Sequence, residues 1–489
     1  RINVVNYNFY TDLILSYFTL SFFNSLLLSL NLFYYEFYAF FFVALIITTY
    51  VLNYKSLINL IISLKKIKFN FLFLLILIIC LTHFLKSISP ESRSDELGYH
   101  FLIIQRIIED NQLKFYPLPW EAAINFQFYW HYNNIINFLF NLPESSKVIS
   151  FYFNLSSLAL IYKFLYIRTS SIFLSFSKVL LIITGGYSLM FLNTFGPHSI
   201  LIFSCTLLYI FSFEYLRGKE NSTLLISIIA TVVLSSKATT ILIVLLIFSY
   251  IFLFYKIKFF KNTLIFALIP LIFFLPILLW TFIHSGSPFG SATEFLYFNK
   301  FQTNEIIRTT LAGRAFNDFN YYRIIFDFYY FNPIILIMAL TGFFVLKNKV
   351  EVFFYAIFCI QIIFWLLYLP KEQRHLNYMQ VFIFLIIITN IYNALVDRKL
   401  YKKLFNFFLF LSVIPWLAMN IWVSQIFIFN FFNKVSLDNF LTNYTGLYMS
   451  YKKLDTILPE ESELYLGRLL NDDFQITYHA RAPFYYSSR

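Results

Sequence analysis

The chain has 489 residues, 59% of them hydrophobic and 13% charged, with a net charge of +12 and a mean hydropathy of +0.69. Apolar runs of about 18 residues or more recur, each long enough to cross a bilayer, and this excludes an ordinary water-soluble domain. Cys80, Cys205 and Cys359 all fall inside apolar runs, which excludes a disulfide framework and a zinc-type ligand spacing.

Taken in chain order, the runs predict an all-α integral membrane protein with about 13 transmembrane helices. The expected spans are 12–33, 37–53, 69–87, 149–167, 177–195, 199–216, 222–235, 239–255, 262–283, 331–346, 350–369, 376–395 and 404–424. The first run reads as a retained span, with no cleavable signal before it. With the N-terminus inside, the basic residues of successive loops fall on one side. They are Lys55, Lys65, Lys66 and Lys68, then Arg168 and Lys178, Arg217 and Lys219, and Lys256, Lys258 and Lys261. Lys347 and Lys349 follow, then Arg398, Lys399, Lys402 and Lys403. This is the positive-inside pattern, with an interfacial helix at 57–64 on the cytoplasmic side.

That topology leaves 88–148, the Lys237 region, 284–330 and the turn at 371–375 outside. The expected organisation is a transmembrane domain over 1–424 and a small extracytoplasmic segment over 425–489, with a strand at 462–467. There is no glycine-rich phosphate loop and no Ser-His-Asp order, and the cytoplasmic loops are too short for a nucleotide-binding domain. Any chemistry is therefore expected on the outer face, without nucleic acid as a partner.

The acid pair in Ser94-Asp95-Glu96-Leu97-Gly98-Tyr99-His100 opens the first outer loop. Leu97, Phe101, Ile104 and Ile108 follow at helical spacing, with Gln105, Arg106 and Glu109 elsewhere on the wheel, which predicts an interfacial helix over 101–110. Two readings of the acids stand side by side. In one, Ser94 caps the helix and the acids complement its dipole. In the other, one carboxylate is a general base, with a pKa raised by partial burial, and Tyr99 on the same face orients it. His100 is then a substrate contact or a polar interfacial residue.

Lys237, in Ser235-Ser236-Lys237-Ala238-Thr239-Thr240, lies between two spans. It either snorkels to the headgroups or binds a lipid phosphate, with Thr239 or Thr240 adding a hydroxyl. Arg374 and His375, in Lys371-Glu372-Gln373-Arg374-His375, form either an ordinary charged turn or a phosphate clamp. Arg308 and Arg314 are weaker candidates, and His284 reads as a structural residue at a turn. Trp120, Tyr129, Trp130 and His131 suit either an acceptor site that stacks on sugars or an aromatic belt. An acid and several cations thus share one face, the minimum for transferring a group away from a phosphate.

Over about 69–392, these stations in their order resemble the GT-C superfamily of polytopic glycosyltransferases. The likeness is to its bacterial branch, related to protein mannosyltransferases and aminoarabinose transferases. The stations are the acid-led Asp95-Glu96-Leu97-Gly98-Tyr99-His100, the extended Leu113-Lys114-Phe115-Tyr116-Pro117, Lys237-Ala238-Thr239, Ser285-Gly286-Ser287-Pro288 and Arg374-His375. The resemblance implies that Asp95 is the catalytic base, with Glu96 beside it. Tyr99, His100, Lys237, Thr239, Arg374 and His375 would bind substrate. It implies a polyprenyl-phosphate sugar donor and a lipid, glycan or protein acceptor, within a site bordered by membrane lipids. Two stations depart from the pattern. The second outer segment, Asn193-Thr194-Phe195-Gly196-Pro197-His198, holds no carboxylate, and His375 stands where a tyrosine is common. No cofactor is expected, and no metal ligand is assigned.

Two other functions fit a polytopic chain. An O-antigen-type polymerase or ligase also uses lipid-linked glycans, and product analysis separates block transfer from addition of one sugar. A transporter of lipid-linked glycans is disfavoured by only 11 Gly and 13 Pro, few charges at midspan and no internal repeat.

Overall fold

In an apolar run the backbone N–H and C=O groups have no water to bond, so they pair within the segment and the run becomes a helix. The computed structural model describes residues 8–32, 36, 38, 40, 71–91, 100–114, 129–184, 192–218, 223–237, 240–254, 259–286, 288, 342–368, 377–395, 398–444, 453 and 457. The first helices are α1 (Asn8–Ser29), α2 (Phe71–Ile88), α3 (Leu102–Glu109), α4 (Tyr129–Leu139) and α5 (Ser145–Thr169). Then come α6 (Ile172–Thr184), α7 (His198–Leu216), α8 (Thr223–Ser236), α9 (Ile241–Phe254) and α10 (Phe259–Ser285). A 3-10 turn (Gly342–Val345) precedes α11 (Lys349–Tyr368), α12 (Asn377–Ala394), α13 (Lys399–Leu411), α14 (Ile414–Phe432) and α15 (Leu437–Tyr444). No strand occurs among the described residues.

Among the described residues, six helical stretches are long and apolar enough to cross a membrane: α1, α2, α5, α7, 264–284 within α10, and 399–432 across α13 and α14. The apolar stretches of α8, α9 and α12 are shorter. The described residues are therefore helical, with long apolar helices compatible with a multi-pass membrane protein.

The helix ends follow from local chemistry. Ser170 closes α5 in the left-handed region and donates its N–H to Tyr166 O. Pro197 precedes α7 with its φ already near the helical value. Gly286 takes φ +73 just past α10 and donates to Phe282 O, as a helix C-terminus requires.

Without a hydrophobic drive between helices in lipid, packing rests on close approach and interhelical hydrogen bonds. The helices meet through small residues accordingly. Buried Ser150, Ser156 and Ser157 of α5, Ser199, Ser204, Cys205, Thr206 and Ser212 of α7, and Ser227, Ala230, Thr231, Ser235 and Ser236 of α8 face the interior. Buried along almost its whole length, α7 is the central helix and packs against α5, α8, α9 and α12. On its flank, α2 packs against α5, α6 and α14.

Bonds at the two ends give the helix directions. Ser150 donates to Ser199 at 2.8 Å near the starts of α5 and α7, and Arg168 donates to Glu214 at 2.5 Å near their finishes, so the two run parallel. Asn390 near the finish of α12 donates to Glu351 at the start of α11, 2.7 Å, so those two are antiparallel. Tyr250 near the finish of α9 donates to Lys349 O at 3.5 Å. Phe213 near the finish of α7 meets Phe354 near the start of α11 at 5.8 Å, so Arg168, Arg217 and Lys349 gather at one end of the bundle, hereafter the basic end.

Several boundaries differ from the expected ones. The span expected at 177–195 begins five residues earlier as α6, described as far as Thr184; 185–191 lie outside the described residues, and 192–196 is bent chain. Lys178, expected in a basic loop, consequently lies inside α6 and is buried. The run expected at 404–424 is two helices, separated at Ser412–Val413, two residues before Pro415. The second of them continues through 424 to Phe432. The strand expected at 462–467 and the interfacial helix at 57–64 lie outside the described residues.

Candidate functional site

Asp95, Glu96, Tyr99, Thr239, Arg374 and His375 lie outside the described residues, as do Trp120, Arg308 and Arg314. His100 and Lys237 lie within them. The end of the bundle opposite the basic end holds a buried polar cluster built by the finish of α2, the starts of α4, α5 and α7, and the 192–197 bend. A lysine stands in the first turn of α5, where a cation opposes the helix dipole. This residue, Lys147, is 1% exposed. Its ammonium donates to Ser89 O at 2.6 Å and lies 3.7 Å from Glu91 Oε2. Lys86, in the last turn of α2, is also buried and donates to Leu192 O at 3.1 Å. A cation at that terminus suits the dipole. Buried charge is costly, and these groups are held by oxygen atoms that replace the lost water.

The bend is shaped by its own bonds. Asn193 sits at φ +60, a conformation that Asn tolerates better than most side chains. Its N–H donates to Ser199 Oγ at 3.3 Å, and its Oδ1 accepts from Asn154 at 3.3 Å. Its Nδ2 lies 2.8 Å from His83 Nδ1, and the other nitrogen of that ring lies 3.2 Å from Asn420 Nδ2 of α14. The next apolar residue, Phe195, is the hub. Its carbonyl accepts from Trp130 Nε1 at 2.6 Å. Its ring lies 5.8 Å from the Lys147 ammonium and meets the ring of Phe101 edge-on at 5.3 Å.

His100, the last residue of the acid motif, enters the same cluster. Its Nδ1 lies 2.7 Å from His131 Nε2, close enough for one proton to lie between the two rings. His198, the first residue of α7, meets His100 edge-on with ring centroids 6.3 Å apart. Gly196 makes this contact possible, because a Cβ there would sit 3.0 Å from His100 Nε2 and 3.1 Å from His198 Cδ2. Among the described residues no three His, Cys, Asp or Glu side chains are arranged to hold a metal ion.

The expected helix after the acids is present as α3, and it packs on α4. Phe101, Ile103, Ile104 and Ile107 are buried. Gln105, expected away from the apolar face, is buried too and donates to Glu109 at 2.9 Å. Tyr129 and Trp130, one reading of which was an open stacking surface, are 0% and 1% exposed. Burial pushes the Tyr129 phenol above its ordinary pKa range, and its hydroxyl donates to Phe273 O at 3.2 Å. Their NH and OH groups are spent on backbone carbonyls, so both side chains act as core. At Lys237, the neighbouring Thr240 is buried and donates to Lys237 O at 2.6 Å, which commits that hydroxyl to the turn. Lys237 itself is half-buried at the junction of α8 and α9. His284 bonds Trp280 O through Nδ1 and stacks on that indole, a structural role at the finish of α10.

Sequence reasoning did not single out Lys147, Glu91, His83 or Asn193 as site residues. The signal present was a polar side chain at a span boundary or within a span, as Lys147 and His83 are, because such residues are expensive in lipid.

Among the described residues the fold is helical, with long apolar helices compatible with a multi-pass membrane protein and a buried, charged floor at one end. No family model, no curated protein and no solved structure matches the chain.

Proposed function

We propose that the protein is a membrane glycosyltransferase of the GT-C type, with about 13 spans and its site on the extracytoplasmic face. It moves a sugar from a polyprenyl-phosphate donor to an acceptor hydroxyl or amine. The observation that carries this reading is that the segment bearing Asp95 and Glu96 is pinned on both flanks. Glu91 is held by Lys147, and His100 is held by His131, with the Phe195 ring packed against both Lys147 and Phe101, the residue after His100. Chain connectivity keeps Asp95 within about 18 Å of His100. An acid within that chain reach of buried lysines and imidazoles suits base chemistry beside a phosphate.

In this mechanism the Asp95 carboxylate takes the proton of the acceptor. The acceptor atom attacks the anomeric carbon and forms the new bond. The bond from that carbon to the phosphate oxygen breaks, and lipid phosphate departs with the electron pair, inverting the centre. Lys237 and Arg374 neutralise the departing phosphate, with Thr239 and His375 adding bonds to it. Glu96, Tyr99 and His100 position the base.

The test is transfer of labelled sugar from polyprenyl-phosphate donors in membranes, comparing the parent with Asp95→Asn and Glu96→Gln. Loss of transfer in Asp95→Asn at normal membrane abundance supports the reading. Full transfer by both variants sinks it, and transfer of a whole glycan block replaces it with a polymerase or ligase.

A further inference from the structure

The first turns of α13 carry a concentration of charge that the described fold leaves unneutralised. Arg398, Lys399, Lys402 and Lys403 fall within six residues, against one adjacent acid in the sequence, Asp397, which lies outside the described residues. Among the described residues no carboxylate forms an ion pair with any of them. Arg398, Lys399 and Lys403 are exposed, and Lys402 is half-buried. The spacings are the unfavourable ones. Arg398 and Lys402, and Lys399 and Lys403, are four apart, and Lys399 and Lys402 are three apart, so like charges face each other along the helix. Every one of these cations also lies at the positive end of the helix dipole, where acids are normally preferred. The first turn of α13 contains no acid.

Two of the cations are nonetheless held in place. The Lys402 ammonium sits 4.4 Å over the ring of Tyr392, near the finish of α12, and the Arg398 guanidinium sits 6.0 Å from the ring of Tyr401. Directly beyond the charges, α13 presents Leu400, Leu404, Phe407 and Phe408, each 42% to 67% exposed. Only Leu409 of this helix is buried. From Lys402, on Tyr392 at the basic end, to Asn420, on His83 near the opposite end, is 18 residues or about 27 Å of helix, so α13 and the start of α14 together cross a hydrocarbon core of about 30 Å. This places the first turns of α13 at a boundary of the membrane, with their cations at headgroup level and the apolar residues beside and after them toward the acyl chains.

We infer that the α12–α13 corner, at the basic end of the bundle, is a binding site for the headgroup of an anionic phospholipid. The phosphate sits among Arg398, Lys399, Lys402 and Lys403, and the acyl chains lie along Leu400, Leu404, Phe407 and Phe408. Charge complementarity selects the anion, and the adjoining apolar face selects a lipid over a free phosphate. This site is separate from the proposed sugar-transfer site and stands without it.

The test uses the full chain in a neutral detergent. Short-chain phosphatidylglycerol, phosphatidylcholine of equal chain length and inorganic phosphate are titrated separately, and bound lipid is counted by native mass spectrometry. Two variants are compared with the parent. Lys399→Gln/Lys403→Gln changes only exposed side chains and so spares the Lys402–Tyr392 contact. Lys347→Gln/Lys349→Gln removes the same charge from other exposed positions. The parent is expected to prefer phosphatidylglycerol over phosphatidylcholine by about tenfold or more, and the 399/403 variant to lose about tenfold in that affinity. The 347/349 variant is expected to bind as the parent does. Equal binding of the two lipids, or equal losses in both variants, overturns a specific site. Full competition by inorganic phosphate at matched concentration overturns the lipid assignment in favour of a free anion. A further variant, Leu404→Asn/Phe408→Asn, checks the apolar half. Unchanged phosphatidylglycerol affinity there also overturns the lipid assignment.

Discussion

Replacing Lys147 with methionine removes the cation that holds Ser89 O at 2.6 Å and faces Glu91 at 3.7 Å. Methionine keeps most of the volume of the buried stem, so the change is chiefly electrostatic. Both partners are nearly inaccessible, with side chains 1% and 4% exposed, and solvent screens the pair little. Removing one member of such a pair costs about 3–5 kcal/mol, because the other charge stays buried. The Ser89 carbonyl loses a donor as well, a cost of about 1–3 kcal/mol that overlaps the first. The double variant Lys147→Met/Glu91→Leu removes both charges and is expected to recover most of the loss. The assay is equilibrium unfolding of the full chain in mixed micelles, with sugar transfer measured on the same preparations. A destabilisation of Lys147→Met below about 1 kcal/mol refutes the buried-pair argument. So does a double variant no more stable than the single one. The stabilised double variant is further expected to stay inactive, since Glu91 no longer anchors the acid-bearing segment.

Three other outcomes follow from the same geometry. Gly196→Ala places a methyl 3.0 Å from His100 Nε2 and 3.1 Å from His198 Cδ2, so the histidine rings must shift. Its unfolding cost is expected at about 1–3 kcal/mol, with a larger fractional loss of transfer than of folded protein. Wild-type transfer would show that the His100 contact is idle. Asn193→Gly keeps the backbone at φ +60 but loses the bonds to His83 and Asn154, whereas Asn193→Ala loses those bonds and adds about 1–2 kcal/mol of backbone strain. The expected order of stability is parent, glycine, alanine, and an alanine variant more stable than the glycine variant contradicts it. At the basic end, Arg168→Met removes the bond to Glu214 and the contacts with the Phe164 and Phe213 rings. The expected cost is about 2 kcal/mol with transfer by the folded fraction unchanged, and an equal collapse of transfer would tie that end to the chemistry.

Most of the described helices were legible because they are local objects. The runs at 199–216, 222–235, 239–255 and 376–395 are found within two residues of α7, α8, α9 and α12. A long apolar segment satisfies its backbone only by bonding to itself, and that constraint is written in consecutive residues. Polar residues blur it. The Ser170–Ser171 turn let α6 start early enough to swallow Lys178, and the turn before Pro415 split one expected span into α13 and α14.

The floor of the candidate site was not legible, since its contacts join distant parts of the chain. Asn193 meets His83 across 110 residues, and Asn420 meets the same ring across 337. In the sequence the acid motif and the 193–198 segment are separate features, one distinguished by its carboxylates and the other by lacking one. Their meeting through His100, Gly196 and His198 depends on how α3, α4 and α7 pack. Sequence alone determined that the chain is helical, apolar and charged mainly at the ends of its helices, because hydrophobic runs and backbone bonding act over one or a few turns. Only the tertiary structure decided which buried polar groups face one another, because those groups must find partners inside the bundle and the packing of separate helices chooses them.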